Sequence, residues 1–245
     1  MRSSAFPRLR LPLRMLAYFV VLLAFAACAV RGSAADEPPK PAPKPKTWHV
    51  STFGSGGVGY RILHYWSKGA ILRAQTLIAG HPVVTIVRGD RYLVLDMLLM
   101  KGVEIRRSPA AQAEDAKRER PFGNDFEALR RDHGEKVGDE QISGVQAEIW
   151  RVSDSDGRRT VWVTKSEPRV PLRTETFDRS SGATLNVDYS NWIFDLDMPD
   201  AFFEPPAGMS LETFEYEDYV ARSLAGKPDP APIFFPHLLH GPRPR

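Results

Sequence analysis

The chain has 245 residues, of which 42% are hydrophobic and 26% are charged, with 33 basic and 30 acidic side chains. Five of the arginines lie in residues 1–35, and without them 28 basic and 30 acidic side chains remain, a net charge of −2. The basic isoelectric point of about 9.0 therefore reflects the N-terminal segment and does not indicate nucleic-acid binding. We predict no nucleic-acid partner.

The first 35 residues predict a bacterial-type export signal. Arginines precede a 16-residue apolar stretch, Met15–Val30, which is shorter than the about 20 apolar residues that span a bilayer. Small residues follow, and Ser33 and Ala35 fit cleavage between Ala35 and Asp36. We therefore expect a periplasmic protein. A retained N-terminal membrane anchor is an alternative.

Cys28 is the single cysteine and lies inside this leader. Cleavage before Asp36 leaves a mature chain with no disulfide, thiolate metal site or cysteine nucleophile. Leu23–Cys28 also resembles a bacterial lipobox, although Phe25 stands where leucine is usual. Lipidation of Cys28 would instead give a membrane-anchored lipoprotein.

Proline-rich segments flank a predicted folded domain, residues 47–225. Residues 36–46 alternate proline with lysine, which favours an extended polyproline II spacer. Residues 226–245 contain six prolines and are predicted to form a disordered tail. The apolar residues of this tail, Ile233–Phe235 and Leu238–Leu239, are alternatively a docking motif.

The domain reads mainly as short strands separated by turns rich in glycine, proline or aspartate, which predicts antiparallel hairpins. The first set is Thr47–Phe53, Tyr60–Trp66, Ile71–Ile78, Val83–Arg88, Arg91–Asp96 and Gly102–Arg107. The second set is Glu135–Glu140, Val145–Ser153, Arg158–Lys165, Val170–Asp178, Ala183–Trp192 and Ser210–Tyr216. In Val83–Val87 apolar residues occupy both alternating positions, so this strand is predicted to be covered on both faces.

Helix-forming residues interrupt the strands at two places. Pro109–Arg131 is rich in alanine at first, breaks at Pro121–Gly123 and can resume as a short helix. Glu217–Leu224 is predicted to be a terminal helix.

Motifs of known chemistry are either incomplete or in the wrong context. Gly54–Gly59 fits the glycine pattern of dinucleotide sites, but the aromatic and β-branched Tyr60–Trp66 that follows favours a strand over the required helix. Asp154–Gly157 resembles the start of a calcium loop, but Arg158 and Arg159 follow at once, so we interpret it as a turn. No zinc-binding histidine motif and no serine nucleophile elbow is present. We predict a non-enzymatic protein without a cofactor.

The order of segments in the second half resembles that of the periplasmic outer-membrane lipoprotein carrier superfamily (LolA/LolB-like). Arg159–Lys165 and Val170–Glu175 form a charged hairpin, and Phe202–Gly208 contains a Phe pair and a double proline before the last strand. The resemblance covers about Thr47–Tyr219. It implies a mainly β fold, a curved antiparallel half-barrel of about 11 strands, with Pro109–Arg131 as a helical lid.

The resemblance also implies a function. We expect a cell-envelope carrier or receptor that binds lipoprotein acyl chains or lipid in a concave sheet, with inner- or outer-membrane transport components as possible partners. The alternatives are an envelope sensor or protein-interaction module on the same scaffold, and an enzyme with an unfamiliar site. The predicted apolar lining, each member of which is otherwise an ordinary core residue, is Trp66, Leu72, Ile86, Leu95, Val161, Val163, Leu185, Val187, Tyr189, Phe202 and Phe203.

Overall fold

Twelve strands of the described residues form one open, curved sheet. The computed structural model describes residues 46–56, 61–118 and 120–242. The predicted leader, the predicted cleavage site and nearly all of the predicted spacer lie outside them. The strands are β1 Thr47–Ser55, β2 Arg61–Lys68, β3 Ile71–Ile78, β4 His81–Arg88, β5 Arg91–Asp96, β6 Lys101–Arg106, β7 Glu135–Ile142, β8 Val145–Ser153, β9 Gly157–Thr164, β10 Pro171–Asp178, β11 Thr184–Phe194 and β12 Ser210–Phe214.

The strand order is β12-β6-β5-β4-β3-β2-β1-β11-β10-β9-β8-β7. The predicted mainly β, antiparallel fold is confirmed, with one exception at the edge. β12 pairs with β6 in parallel, and Ser210 lies opposite Lys101. A parallel neighbour needs a long connection instead of a hairpin, and β12 reaches this edge only after the chain has passed along β7–β11.

Within the described residues, four short α-helices accompany the sheet: α1 Pro109–Asp115, α2 Asp125–Arg131, α3 Tyr216–Leu224 and α4 Pro236–His240. The predicted helical insert is thus two helices, and α1 starts at a cap in which the Ser108 hydroxyl accepts a hydrogen bond from Ala111 N at 3.0 Å. The break between α1 and α2 contains Gly123, whose φ of +75° is strained for other residues. None of the helices in the described residues is long and apolar enough to cross a membrane.

Side chains of β4–β6 are buried on both sides of the sheet, and those of β2 and β3 are buried on one side and partly exposed on the other. We call one side the helix face; it carries Val83, Val87 and Tyr92 and packs against α3, α4 and the tail. The other is the loop face, which carries Val84 and Ile86 and is covered by residues 195–209, including a short 3₁₀ helix Asp200–Phe203. The prediction that Val83–Val87 is covered on both faces is confirmed, because all five residues are buried.

The described part of the tail is ordered, so the prediction of a disordered segment is wrong for residues 226–242. Its chain forms α4, and Phe235, Leu238 and Leu239 are buried in the helix-face core with exposures of 6%, 1% and 0%. Proline content argued against regular structure, but these three apolar side chains pack on a sheet face that is already formed. Burial of these apolar side chains offsets the entropy cost of ordering the segment.

Candidate functional site

A cleft of about 610 Å³ lies on the helix face, between the ends of β4–β6 and the start of the tail. Its floor is formed by Val83, Val94 and Val103, and residues 230–232 of the tail lie across it. Val94 and Val103 face each other on paired strands, so their side chains form a continuous apolar surface. The cleft therefore offers an apolar floor beside a proline-rich roof.

The mouth of the cleft carries a hydrogen-bonded side-chain pair. His81 Nδ1 lies 2.7 Å from Asp96 Oδ2, while Asp96 Oδ1 accepts hydrogen bonds from the backbone N–H of Leu98 and Leu99 at 3.0 and 2.9 Å. The bond from Leu99, followed by that to His81, lowers the pKa of Asp96 below its usual range. Asp96 is thus a carboxylate at neutral pH, and it fixes the conformation of the β5–β6 turn.

That turn, between Asp96 and Lys101 of the cleft lining, places large apolar side chains in solvent: Leu98 and Leu99 are 61% and 56% exposed. Lys101 and Glu212 also line the cleft and supply opposite charges near its opening. The arrangement suits a ligand with an apolar chain and a polar end, because the chain meets valines and the polar end meets charged groups.

Beyond the cleft, the tail fills the helix face. The Phe235 ring lies 5.9 Å from Tyr65 and 6.4 Å from Phe122, centroid to centroid, and Tyr65 stacks on Phe122 at 3.8 Å. Phe235 N donates to the Tyr92 hydroxyl at 3.2 Å. Burial raises the pKa of Tyr65 to about 12 and that of Tyr92 further still, so both phenols stay neutral.

Arg107 and Ser108 hold α4 in place through its main-chain carbonyls. Arg107 Nε donates to Leu238 O at 2.6 Å, Ser108 N to Leu239 O at 3.0 Å and Ser108 Oγ to His240 O at 2.8 Å. The buried Arg107 guanidinium also makes two bonds to the Asp115 carboxylate at 2.8 and 3.0 Å. This bidentate pair compensates the buried positive charge independently of the tail.

The structure does not bring the eleven predicted lining residues together, and none of them lines the cleft. Successive residues of a strand point to opposite faces, and sequence alone does not say which face is which. Leu72, Val187 and Tyr189 pack in the helix-face core, whereas Val161 and Val163 pack against α2. Leu185 is 43% exposed. The loop-face cluster contains the other five, Trp66, Ile86, Leu95, Phe202 and Phe203.

The residues that form the mouth, His81, Asp96 and Lys101, are absent from the sequence prediction. A signal for them was present, because they flank the two turns that end β3 and β5. Their proximity depends on register: Val83 lies opposite Asp96, and Asp96 lies opposite Lys101. Among the described residues, no group of three or more histidine, cysteine, aspartate or glutamate side chains is placed to hold a metal ion.

No protein-family model matches the chain, and no curated protein matches it. Among solved structures, it is similar to an uncharacterized conserved protein from Thermus thermophilus, with 11% identity, a TM-score of 0.48 and coverage of 69% of this chain and 90% of that one. It is also similar to the Pseudomonas aeruginosa MucA/MucB complex structure, with 12% identity, a TM-score of 0.44 and coverage of 69% and 59%.

A third similar structure is a LolA superfamily protein from Nitrosomonas europaea, with 14% identity, a TM-score of 0.30 and coverage of 66% of this chain and 90% of that one. The superfamily that the sequence pattern resembles is thus represented among the similar folds. At these TM-scores and identities the likenesses say nothing about a ligand or partner of this chain.

Proposed function

We propose that this chain is a non-enzymatic cell-envelope protein that binds a hydrophobic ligand, an acyl chain of a lipid or lipoprotein, on the helix face of its sheet. One observation carries the proposal: a cleft of about 610 Å³, floored by Val83, Val94 and Val103, is bordered by Asp96 and Lys101, whose connecting turn carries the exposed Leu98 and Leu99. This volume lies within the roughly 300–1,000 Å³ typical of small-ligand pockets.

The driving force for such binding is the removal of methylene groups from water. Each buried CH₂ contributes about 0.8 kcal/mol, so eight methylenes against the valine floor contribute roughly 6 kcal/mol before the entropy cost of binding. Lys101 and the His81–Asp96 pair at the mouth lie where the polar end of the ligand would remain in water. The geometry thus suits capture of the chain with its head group outside.

The envelope location rests on the predicted leader. We propose cleavage between Ala35 and Asp36, which yields a soluble periplasmic carrier, with acylation of Cys28 as the alternative that yields an anchored receptor. Intact-mass measurement of the protein from its native envelope distinguishes the two. A chain starting at Asp36 supports the carrier, and a lipid-modified chain starting at Cys28 supports the receptor.

Binding is tested with a dansyl-labelled undecanoic acid, whose fluorescence rises in apolar surroundings. Val83→Phe places a ring in the cleft, and we expect affinity for the probe to fall at least about tenfold because the floor is filled. Val137→Phe is the matched control, because Val137 is 49% exposed in the edge strand β7. Equal affinity of both folded variants and the parent chain would exclude the cleft as the binding site.

The alternative function, an envelope sensor or protein-interaction module, has less support. It requires the apolar residues of the tail to be available to a partner, but Phe235, Leu238 and Leu239 are buried against the sheet of their own chain. A partner that binds the tail must first displace it.

A further inference from the structure

The tail occupies the helix face in the way that an acyl ligand would. Phe235, Leu238 and Leu239 join the same apolar cluster as Val83 and Val94 of the cleft floor. The floor of the cleft and the surface under the tail therefore belong to one apolar cluster.

The tail is attached differently from the rest of the cover on this face. Within the described residues it adds no strand to the sheet, and α4 has only five residues. It follows α3, and Gly226, where it starts, has a φ of +68°. Tyr219 Oη and Arg222 Nε hold that joint by bonds to Asp229 at 3.0 Å and to Pro228 O at 3.1 Å.

Departure of the tail would leave few polar groups stranded. The carbonyls of α4 would pass into water, and Arg107 would keep its two bonds to Asp115. The Tyr92 and Ser108 hydroxyls, the Ser108 N–H and the Arg107 Nε–H would lose their bonds to the tail, and ligand carbonyls could accept hydrogen bonds from them. Buried groups left without partners are what makes opening costly, and this arrangement limits them.

We propose that residues 230–240 are a built-in occupant of the acyl-binding face, which an acyl chain displaces when it binds. The inference rests on the proposed function and adds its regulation. With the tail docked, only the cleft is open to a ligand. With the tail displaced, the binding site is the cleft together with the surface under the tail. Affinity is then reduced by the fraction of molecules in which the tail is docked.

The first test loosens the tail in the full chain. Leu238→Ser removes an anchor that is 1% exposed, and Leu224→Ser is the matched control at a position that is 85% exposed on α3. We expect the dansyl-undecanoic acid probe to bind Leu238→Ser roughly tenfold more tightly than the parent chain, with no change for Leu224→Ser. Hydrogen exchange of peptides covering residues 227–242 should increase when the probe binds the parent chain.

The second test fixes the tail. A Cβ on Gly241 would lie 3.0 Å from the Ala110 Cβ, somewhat closer than the about 3.5–4.5 Å of a disulfide, and 3.0 Å from Ala111 N, so the chain end must shift for a bond to form. Gly241 also has a φ of +89°, which strains a cysteine, and the same protein after reduction is the control for that strain. In a Cys28→Ala background, Ala110→Cys with Gly241→Cys can form that single disulfide. We expect the oxidised protein to bind the probe at least about tenfold more weakly than the same protein after reduction.

The outcomes separate the two proposals. If the probe binds the parent chain and Val83→Phe weakens it, but neither loosening nor locking the tail changes affinity, the function stands and the displacement is wrong. Probe binding without any increase in tail exchange would also overturn the displacement. If the probe binds none of the variants, including Leu238→Ser, both proposals fail.

Discussion

Two irregular segments cover the same strands, β2–β6, from opposite sides. Residues 195–209 cover the loop face and are joined to a strand at both ends, β11 and β12. There Phe203, Ile86 and Leu95 are 0% exposed. The tail, which follows α3, covers the helix face and leaves a cleft of about 610 Å³ there. The same strands thus have one tightly filled face and one incompletely filled face.

The two segments also differ in the polar contacts that hold them on the sheet. On the loop face, side chains of the sheet bind charged side chains of the cover: Lys68 Nζ lies 2.7 Å from Asp200, and Arg88 and Arg91 both bind Glu204. On the helix face, Arg107 and Ser108 bind main-chain carbonyls of the tail and Tyr92 binds the Phe235 N–H. The Asp229 and His240 side chains of the tail bind tyrosines of α3, Tyr219 and Tyr216. We infer from this contrast that the loop-face cover is structural and that the tail is exchangeable.

The largest expected effect is a difference in the free energy of unfolding between a variant of the loop-face cover and a variant of the tail. Phe203→Ala should lower the free energy of unfolding by about 3–5 kcal/mol, because the cavity it leaves lies in a closed core. Phe235→Ala should cost less than half as much, because the loss is limited to the free energy with which the tail docks. Urea unfolding of both variants measures the difference, and equal losses would contradict the distinction between the covers.

A second prediction tests how tightly β6 is packed against the loop-face side. A Cβ on Gly102 would lie 2.7 Å from Leu95 Cδ2, 2.9 Å from Val94 O and 3.0 Å from Leu211 Cδ2. Gly102→Ala should therefore cost about 1–3 kcal/mol through overpacking. Gly138→Ala in β7 is the control, because its nearest contact would be Ile149 Cδ1 at an ordinary 3.7 Å. If Gly102→Ala is as stable as the control, the neighbours of Gly102 accommodate the extra methyl group without cost, and the loop face is not tightly packed there.

A third prediction concerns the ion pairs of the loop-face cover. Glu204→Gln removes the charge that pairs with Arg88 and Arg91, whose side chains are 33% and 29% exposed. Partial exposure screens such pairs, so we expect a loss of about 1 kcal/mol or less, which shrinks further in 1 M salt. Thermal unfolding at low and high salt measures it. A loss that is independent of salt would mean that Glu204 acts through packing alone.

The sequence was sufficient to place the strands, because turn residues mark their ends; Ile71–Ile78, Arg91–Asp96 and Val145–Ser153 have the predicted bounds. Burial of Val83–Val87 on both faces also followed from local pattern. These features depend on residues close together in the chain.

The site was not predictable in the same way. Pairing of His81 with Asp96 depends on the register between β4 and β5, which no local pattern specifies. The composition of the tail, with its prolines, argued for disorder, but its conformation is decided by the apolar surface that β2–β6 present to Phe235 and Leu238. Tertiary packing of this kind outweighs the local conformational preference of the tail, and no local sequence pattern predicts it.

The smallest expected effect concerns α2, a further cover of the helix face, and shows whether it is fixed like the loop-face cover. Tyr189 Oη donates to Asp125 Oδ2 at 3.0 Å, and burial raises the pKa of Asp125 above its usual value of 3.8. Between that value and the raised pKa the folded chain binds more protons than the unfolded chain, so this carboxyl lowers stability as the pH rises through the window.

Asp125→Asn keeps an oxygen that accepts the Tyr189 hydrogen bond and removes the charge. We therefore expect the stability of Asp125→Asn relative to the parent chain to increase from pH 4 to pH 7, by a few tenths of a kcal/mol up to about 1 kcal/mol. Asp218→Asn, at an exposed position in the first turn of α3, is the control. Urea unfolding at both pH values measures the difference. If the two variants respond alike, the Asp125 carboxyl is accessible to water, and α2 is an exchangeable cover like the tail. If only Asp125→Asn responds, α2 keeps this carboxyl out of water, and the tail alone is the exchangeable cover.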